Sequence, residues 1–263
     1  MVSAPPNFTF LGRFCEETIS TTCFPLILIF YYGLLCIFFL DIVPHASSLT
    51  PPANHRPTHH HAEHLEKYVM LKLYRVAFQK CVVASRDRDL WFEKRIQVLR
   101  KVLTADHLDV NSSCRSSMTL ELASSELEKV NSYRAPVDKA QCVVRCCSFL
   151  FNQLSVNRND KNARPGADDF LPVFIYVVLH STVPQLHANI DYVSAYRNPQ
   201  ALMSKAGYCL VNLQSALAFL GNVRAKSLTG IDQDEFEVAC RKAEGELGLG
   251  DTSVPPPEAG DDR

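Results

Sequence analysis

The sequence predicts an all-α protein, and two observations support that prediction. From about residue 62 to residue 247, apolar residues recur at intervals of three and four, which is the spacing of one face of an α-helix. No segment offers a partner strand with which an isolated β-strand could pair. A chain of 263 residues is long enough to bury the core of one domain with a helical extension.

Charge and cysteine content narrow the class of function. The chain has 27 basic and 28 acidic residues, so a net charge of -1 gives no footprint for nucleic acid or for an anionic membrane. Most of the ten cysteines lie within apolar helical patterns, which predicts reduced core thiols. Cys142 and Cys146 share a helical face without further ligands at metal spacing, so we predict no metal site there. We also predict no cofactor.

Residues 1 to 60 precede the helical pattern and are left unassigned. Phe24 to Leu40 is a run of 17 uncharged residues, near the lower limit of the roughly 20 needed to cross a bilayer. Three interpretations stay open: a membrane helix interrupted by Pro25 and Gly33, a signal peptide without its charged leading region, or a segment that is not native coding sequence. Pro44 to Pro57 has the composition of a linker.

The helical pattern then divides into successive elements, each marked by an apolar stripe. The third element ends within Asn131 to Pro136, because proline disfavours the helical conformation of the residue that precedes it. Residues 157 to 166 are polar and end in Pro-Gly, which is typical of a surface loop. The first four stripes are Leu65, Val69, Leu73 and Val76; Phe92, Ile96, Leu99 and Leu103; Leu120, Ala123, Leu127 and Val130; and Ala140, Val143, Cys147, Phe151 and Leu154.

The next element is ambiguous from its pattern alone. Val173 to Leu179 is a run of seven apolar residues rich in β-branched side chains, which also fits a buried strand. The length from Asp168 to His180 favours a helix buried on all sides. Acids fit its amino terminus because the helix dipole favours them there, and Pro172 fits a first turn. By itself, Asp168 would be interpreted as a helix cap.

Three further helices complete the pattern before a predicted disordered tail from Gly248 to Arg263. The first is short and ends near Asn198 and Pro199. Their stripes are Leu186, Ile190 and Val193; Ala206, Leu210, Leu213, Leu217 and Leu220; and Phe236, Ala239, Ala243 and Leu247.

Four stretches of sequence together resemble a known family: SYRAPVDKAQCVVRCCS, ADDFLPVFIYVVLH, NIDYVSAYRNP and AGYCLVNLQSALAFL. They are similar to the Vps-nine (vacuolar protein sorting nine) domain, whose members are guanine-nucleotide exchange factors for Rab GTPases of the Rab-five subfamily. The resemblance extends from about Asp89 to Leu228. Ala62 to Gln79 is similar to the helical bundle that precedes this domain in rabaptin-associated exchange factors. The implied organisation is a bundle extension over 61–87, a Vps-nine domain over 88–229, a carboxy-terminal helix over 230–247 and a tail over 248–263.

The resemblance also implies the site residues. Asp168 matches an acidic finger that repels phosphate, competes for the P-loop lysine and disturbs magnesium in the GTPase. Asp169 is then the better candidate for the helix cap, and it is also counted among the predicted partner-binding residues. Tyr208 matches an aromatic residue that meets the GTPase switch region, where Gly207 lets the backbone come close. Pro172 matches a family contact residue.

Leu210 and Val211 complete the predicted partner-binding groove, and part of this region departs from the family pattern. Val211 stands where many members have a threonine, and Lys205 stands where an acidic residue is usual. The run from His180 to Pro184, which includes Val183, replaces a lysine, a small residue and Asn-Pro-Pro. A changed rim charge and a lost hydroxyl bear on which GTPase is bound more than on the class of activity.

The resemblance therefore implies an exchange factor that promotes GDP release from a Rab, without covalent chemistry. We expect it in the cytoplasm, peripheral to early endosome membranes, with membrane association left open. A Rab-binding module without exchange activity and a membrane-anchored helical tether are the alternatives. No Gly-rich phosphate loop, nucleophile with a base, or metal cluster points to a chemical enzyme.

Overall fold

The computed structural model describes residues 59 to 115, 117 to 156 and 166 to 256, and these residues form helices joined by turns and loops, without a strand. The predicted all-α class is confirmed. The segments Phe24 to Leu40 and Pro44 to Pro57 lie outside the described residues, and no described helix is long and apolar enough to cross a membrane. The α-helices are α1 (His59–Ala84), α2 (Arg86–Val102), α3 (Ser117–Glu128), α4 (Pro136–Val156), α5 (Ala167–His180), α6 (Leu186–Tyr196), α7 (Pro199–Leu202), α8 (Lys205–Asn222) and α9 (Gln233–Leu247).

Helix α5 is the centre of the core, and the predicted choice of helix over strand is confirmed. It packs against α2, α3, α4 and α8. A helix with neighbours on every side can be apolar all round, which explains the strand-like run of β-branched residues. Its buried residues are Phe170, Val173, Phe174, Ile175, Val177, Val178 and Leu179.

The apolar stripes of α2, α6 and α8 are confirmed as buried faces. In α4 the stripe is buried except at Phe151, which is only partly covered. The seven described cysteines are buried, as predicted for core thiols. Burial raises the pKa of Cys81 to about 11, and a hydrogen bond with Cys209, together with burial, raises the pKa of Cys147.

The predicted position of Pro172 is wrong. Helix α5 begins at Ala167, so Pro172 is its sixth residue and lies inside the helix, beyond the first turn. A proline there removes the N–H that would donate to the carbonyl of Asp168, four residues earlier. The consequence for the site is described below.

The predicted buried stripe of α1 is also wrong. The buried residues of this helix are Glu66, Met70, Ala77 and Cys81, whereas Leu65 and Val76 are exposed. The two sets lie about a third of a turn apart around the helix. The reason is that α1 packs on polar and aromatic groups of α4 and α6, which select the other face.

Ion pairs hold the amino-terminal half of α1 against the domain. Arg197, which follows α6, donates from Nη1 to Glu66 and from Nη2 to Glu63, each at 2.9 Å. The Asn198 N–H donates to the second carboxylate oxygen of Glu66 at 2.9 Å. Burial raises the pKa of Glu66, and the bonds from Asn198 and Arg197 oppose that rise.

A buried lysine holds the middle of α1. Lys139 of α4 is fully buried, and its Nζ donates to Asn189 Oδ1 at 2.7 Å and to the Val130 carbonyl at 3.0 Å. The ammonium lies 4.6 Å from the centre of the Phe78 ring and 5.4 Å from that of Tyr74, both in α1. Burial lowers the pKa of Lys139 to about 8.

The residues after α9 differ from the predicted disordered tail. Thr252 is buried, and both its N–H and its hydroxyl donate to Glu244 Oε1 at 2.8 Å. The indole N–H of Trp91 in α2 donates to the Thr252 carbonyl at 3.2 Å. Thr252 therefore fixes this segment to α2 and α9, while residues 257 to 263 lie outside the described residues.

Candidate functional site

A line of aromatic rings brings the amino termini of α5 and α8 together. Phe151 of α4 stacks on Phe170 of α5 with ring centres 4.2 Å apart and planes 7° from parallel. On its other side, Phe151 lies 6.3 Å from the ring of Tyr208 in α8. Since Phe170 and Tyr208 both lie in the first turns of their helices, the two amino termini lie at the same end of the domain.

The two acids at the start of α5 have different environments. Asp169 Oδ2 accepts a hydrogen bond from the N–H of Gly166, the residue that precedes the helix, at 3.3 Å. This is the reciprocal half of a capping box. Asp168 is exposed, and its side chain makes no hydrogen bond or ion pair with the part of the chain that the structure describes. The N-cap residue is Gly166, and Asp169, the third residue of the helix, supplies the capping hydrogen bond, while the Asp168 carboxylate faces solvent.

Pro172 lies one turn after Asp168 on the same face of α5 and is partly exposed. Because Pro172 has no N–H, the Asp168 carbonyl lacks its usual donor within the helix. The exposed turn of α5 therefore offers a carboxylate, a carbonyl and a rigid ring in one place.

On α8, two of the three predicted partner-binding residues are exposed. Tyr208 is 47% exposed and Val211 follows it by three residues on the same face of the helix. Leu210 is only 4% exposed and belongs to the core. Its burial argues against the predicted contact with a partner, because side chains two positions apart on a helix point to nearly opposite sides.

Gly207 is needed for packing within this chain. A Cβ atom at this position would lie 1.6 Å from the carbonyl oxygen of Leu202 in α7. The sequence suggested that Gly207 serves a close approach of a partner. The close approach in the structure is that of α7, which sets the angle at which α8 presents Tyr208.

The departures from the family pattern fall in two places. Lys205 and Val211 lie on α8 next to Tyr208, so they belong to the candidate site. His180 ends α5, about 18 Å along the helix from Asp168, and Val183 is buried beyond it. Only the first pair is therefore placed to influence a partner at this site.

Phe151 is the site residue that the sequence did not identify. It is partly exposed between α5 and α8 and contacts the rings of both Phe170 and Tyr208. In the sequence it is one apolar residue in the stripe of α4. The signal that could have found it is its size, since it is the one large aromatic ring in that stripe.

Comparisons with known proteins identify the family of this chain. A family model described as the vacuolar sorting protein 9 (VPS9) domain matches residues 120 to 225. Over 204 residues the chain is 37% identical to vacuolar protein sorting-associated protein 9A of Arabidopsis thaliana, an alignment that covers 73% of this chain and 38% of that protein. Over 180 residues it is 35% identical to the Rab5 GDP/GTP exchange factor of Homo sapiens, covering 66% and 35%.

The chain thus spans little more than a third of the length of these relatives. The matched residues contain the whole of α5 and α8 and therefore the whole candidate site. The four stretches that carried the resemblance lie within or next to the same range. This chain carries a VPS9 domain and belongs to the VPS9-domain family.

Proposed function

We propose that this chain is a guanine-nucleotide exchange factor for a Rab GTPase. The VPS9 domain covers the candidate site, and a human relative is named as a Rab5 GDP/GTP exchange factor. The finer proposal is a partner of the Rab5 subfamily, bound without nucleotide or with GDP. The chain would act without cofactor or covalent chemistry, in the cytoplasm and peripheral to early endosome membranes.

The observation that carries this proposal is the exposed carboxylate of Asp168. Asp169 makes the capping hydrogen bond, and the Asp168 side chain makes no hydrogen bond or ion pair among the described residues. It lies at the same end of the domain as Tyr208, a half-exposed aromatic of the kind that often anchors an interface. An acid and an aromatic anchor at one surface fit a partner that offers both positive charge and an apolar groove.

The physical task of an exchange factor is to bind the nucleotide-free GTPase more tightly than the nucleotide-bound form. A carboxylate near the phosphate site repels phosphate, competes for the P-loop lysine and disturbs magnesium. Close charge pairs at interfaces contribute about 1.5 to 7 kcal/mol, which corresponds to roughly tenfold or more in affinity. One exposed carboxylate can therefore supply much of the coupling between the two partners.

The test is the release of fluorescent GDP from a purified Rab5-subfamily GTPase in the presence of the full chain. We expect Asp168→Ala to slow the stimulated release by about a hundredfold, given the size of interfacial charge pairs. Asp169→Ala is the matched control: it should cost about 1 kcal/mol of stability as a lost cap and leave most of the exchange activity. Release at the parent rate by Asp168→Ala would refute the role of this acid.

The same assay distinguishes the alternatives. Lys205 and Val211 change the charge and polarity of the site relative to the family pattern, which favours a test across a panel of Rabs. Binding to a nucleotide-free Rab without accelerated release would instead identify a Rab-binding module. A panel in which no member binds or responds would refute the proposal as a whole.

A further inference from the structure

The turn between α7 and α8 exposes two side chains next to the candidate site. Met203 and Ser204 join the two helices and Lys205 is the first residue of α8, and we call these three residues the α7–α8 corner. Met203 is 89% exposed, more than any other large apolar side chain in the described ranges, and Lys205 is also exposed. Since single exposed apolar side chains are common on protein surfaces, the meaning of Met203 depends on its surroundings.

Hydrogen bonds fix the backbone of the α7–α8 corner beside Tyr208. The Met203 N–H donates to the Gln200 carbonyl at 3.3 Å, and the Ser204 hydroxyl donates to the Ala201 carbonyl at 2.5 Å. The Tyr208 N–H donates to the Ser204 carbonyl at 3.2 Å, so the corner lies one helical turn from this tyrosine. A partner that contacts Met203 therefore meets a turn that is already ordered, which reduces the entropy cost of binding.

Lys205 is held by a hydroxyl group rather than by a carboxylate. Its Nζ donates to Ser148 Oγ of α4 at 2.9 Å, and that hydroxyl donates its own proton to the Val144 carbonyl at 2.6 Å. Within the part of the chain that the structure describes, no carboxylate pairs with Lys205. The helix dipole disfavours a cation in the first turn, so the charge of Lys205 does not stabilise α8. That charge is available to a partner.

The two charges of the candidate site belong to different helices. Asp168 precedes Phe170 on α5 and Lys205 precedes Tyr208 on α8, so one charge stands at each of the two helices that the aromatic line connects. These two side chains do not pair with each other in the described structure. A partner with cations alone would be attracted by Asp168 and repelled by Lys205. A partner with both signs of charge can bind in one orientation and satisfy both residues.

We propose that the α7–α8 corner is a second contact area for the GTPase partner, where Met203 packs on an apolar side chain and Lys205 pairs with a carboxylate. This inference rests on the proposed function, since it assigns the corner to the same partner. Ser148 is then a positioning residue that orients the ammonium group of Lys205. Members of the Rab5 subfamily that lack an acid at this contact should bind less tightly, so Lys205 selects among them.

The first test removes or reverses the charge of Lys205 in the full chain. With the Rab5-subfamily GTPase that responds most strongly, Lys205→Gln should weaken the affinity for the nucleotide-free form about fivefold, and Lys205→Glu about thirtyfold. Both losses should shrink as salt is raised. The release rate at saturating concentrations should stay within about twofold of the parent rate, because a uniform binding contact changes KM and not kcat. Lys242→Gln at an exposed position of α9 is the control and should change neither quantity.

The second test addresses the apolar contact. Met203→Ser should weaken the affinity about fivefold, because the partner loses an apolar neighbour. Met118→Ser on α3 is the matched control, a methionine that is 72% exposed against 89% and that contributes nothing to the candidate site. Because both methionines are exposed, neither change should unfold the chain, which circular dichroism checks.

The third test asks whether Ser148 acts through Lys205. Ser148→Ala should weaken the affinity about twofold to threefold in the parent and should have no effect in the Lys205→Gln variant. A purely structural role of Ser148 would give the same loss in both backgrounds.

The partner's carboxylate can be found by charge exchange. Each Asp and Glu in the switch regions of the GTPase is changed in turn to Lys, and one such change should restore the affinity of Lys205→Glu about tenfold while weakening that of the parent. Such a restoration would support the proposal and locate the contact.

The outcomes distinguish this inference from the proposed function. If Asp168→Ala loses exchange activity while the variants of Met203 and Lys205 behave like their controls, the α7–α8 corner is not a contact and the proposed function stands. Tighter binding by Lys205→Gln would also overturn the inference, because it would place a cation of the partner at the corner. If the parent chain stimulates no Rab and binds none, both the proposed function and the inference are refuted.

Discussion

At the scale of single residues, Phe151 connects the two halves of the candidate site. Its ring stacks on Phe170, two residues after Asp168, and lies next to Tyr208. Such aromatic pairs contribute about 1 kcal/mol beyond the burial of their area and restrict the orientation of each ring. Phe151 is therefore a positioning residue, which orients Tyr208 relative to the exposed acid.

We expect Phe151→Leu to lower the exchange rate by about threefold to tenfold, because the leucine fills much of the space without holding the Tyr208 ring. The measurement is fluorescent GDP release together with the affinity for nucleotide-free Rab. Phe149→Leu is the control, since Phe149 is also partly buried on α4 but has no ring contact with Tyr208 among the described residues. Equal losses of activity in both variants would mean that Phe151 acts only through stability.

The buried charge of Lys139 makes a prediction about pH. The folded chain releases this proton near pH 8, whereas the unfolded chain holds it up to the ordinary lysine pKa of 10.5. Between these values unfolding takes up a proton, so the contribution of Lys139 to the free energy of unfolding rises with pH. The thiols also titrate in this range, which makes a comparison with a variant necessary.

Lys139→Met removes the titrating group and nearly keeps its volume. The unfolding free energy of the parent minus that of the variant should increase by about 1 kcal/mol from pH 7 to pH 9. Urea unfolding at several pH values measures this difference, in which the effects of the thiols cancel. A difference that stays constant or decreases would show that Lys139 keeps an ordinary pKa in the folded chain.

At the scale of elements, the junction between α7 and α8 depends on a single glycine. Gly207→Ala would place a methyl group 1.6 Å from the Leu202 carbonyl oxygen, so one of the two helices must shift. We expect a loss of about 2 kcal/mol or more in unfolding free energy, as for other overpacked sites, together with weaker exchange.

Gly245→Ala in α9 is the matched control, and it should change the unfolding free energy in the opposite direction. A Cβ atom at Gly245 meets nothing within 4 Å, so alanine there should stabilise the helix by about 0.5 to 1 kcal/mol. Thermal unfolding of the two variants and the parent measures both effects. The close approach of α7 would be contradicted if Gly207→Ala were as stable as the parent.

The sequence predicted most elements because their apolar stripes had one clear face. In α2, α6 and α8 a single stripe alternates with polar residues, so the period alone identifies the buried side. Helix α1 has apolar residues on two faces about a third of a turn apart, and its period cannot choose between them. The choice is made by Lys139 and Arg197, which lie far along the chain and contact the face that contains Glu66.

The same contrast holds for the candidate site. Asp168 and Tyr208 could be identified from local motifs, since each sits in a short stretch that resembles a known family. Phe151 could not, because its place between α5 and α8 depends on how three helices pack. Leu210 belongs both to the apolar stripe of α8 and to the predicted groove, and its burial agrees with the stripe.

At the scale of the whole molecule, the segment that follows α9 contacts α2 and α9 through Thr252. The buried carboxylate of Glu244 accepts two hydrogen bonds from Thr252, and Trp91 reaches the same residue from α2. Composition predicted disorder here because glycine, proline and acids dominate from residue 248 onward. Thr252 departs from that prediction because its N–H and hydroxyl donate to a carboxylate that would otherwise be buried without hydrogen-bond donors.

Two fragments test the importance of this contact. We expect residues 59 to 256 to fold as a helical unit without residues 1 to 58, because the described helices pair their buried faces with one another. Residues 59 to 247 should lose about 2 kcal/mol of unfolding free energy, because Glu244 and the Trp91 N–H lose their partners. Thr252→Val in the longer fragment should lose about 1 kcal/mol, since only the hydroxyl donor is removed. Val254→Ala is the control at an exposed neighbour. Equal urea midpoints for the two fragments would show that the packing of Thr252 contributes nothing to stability.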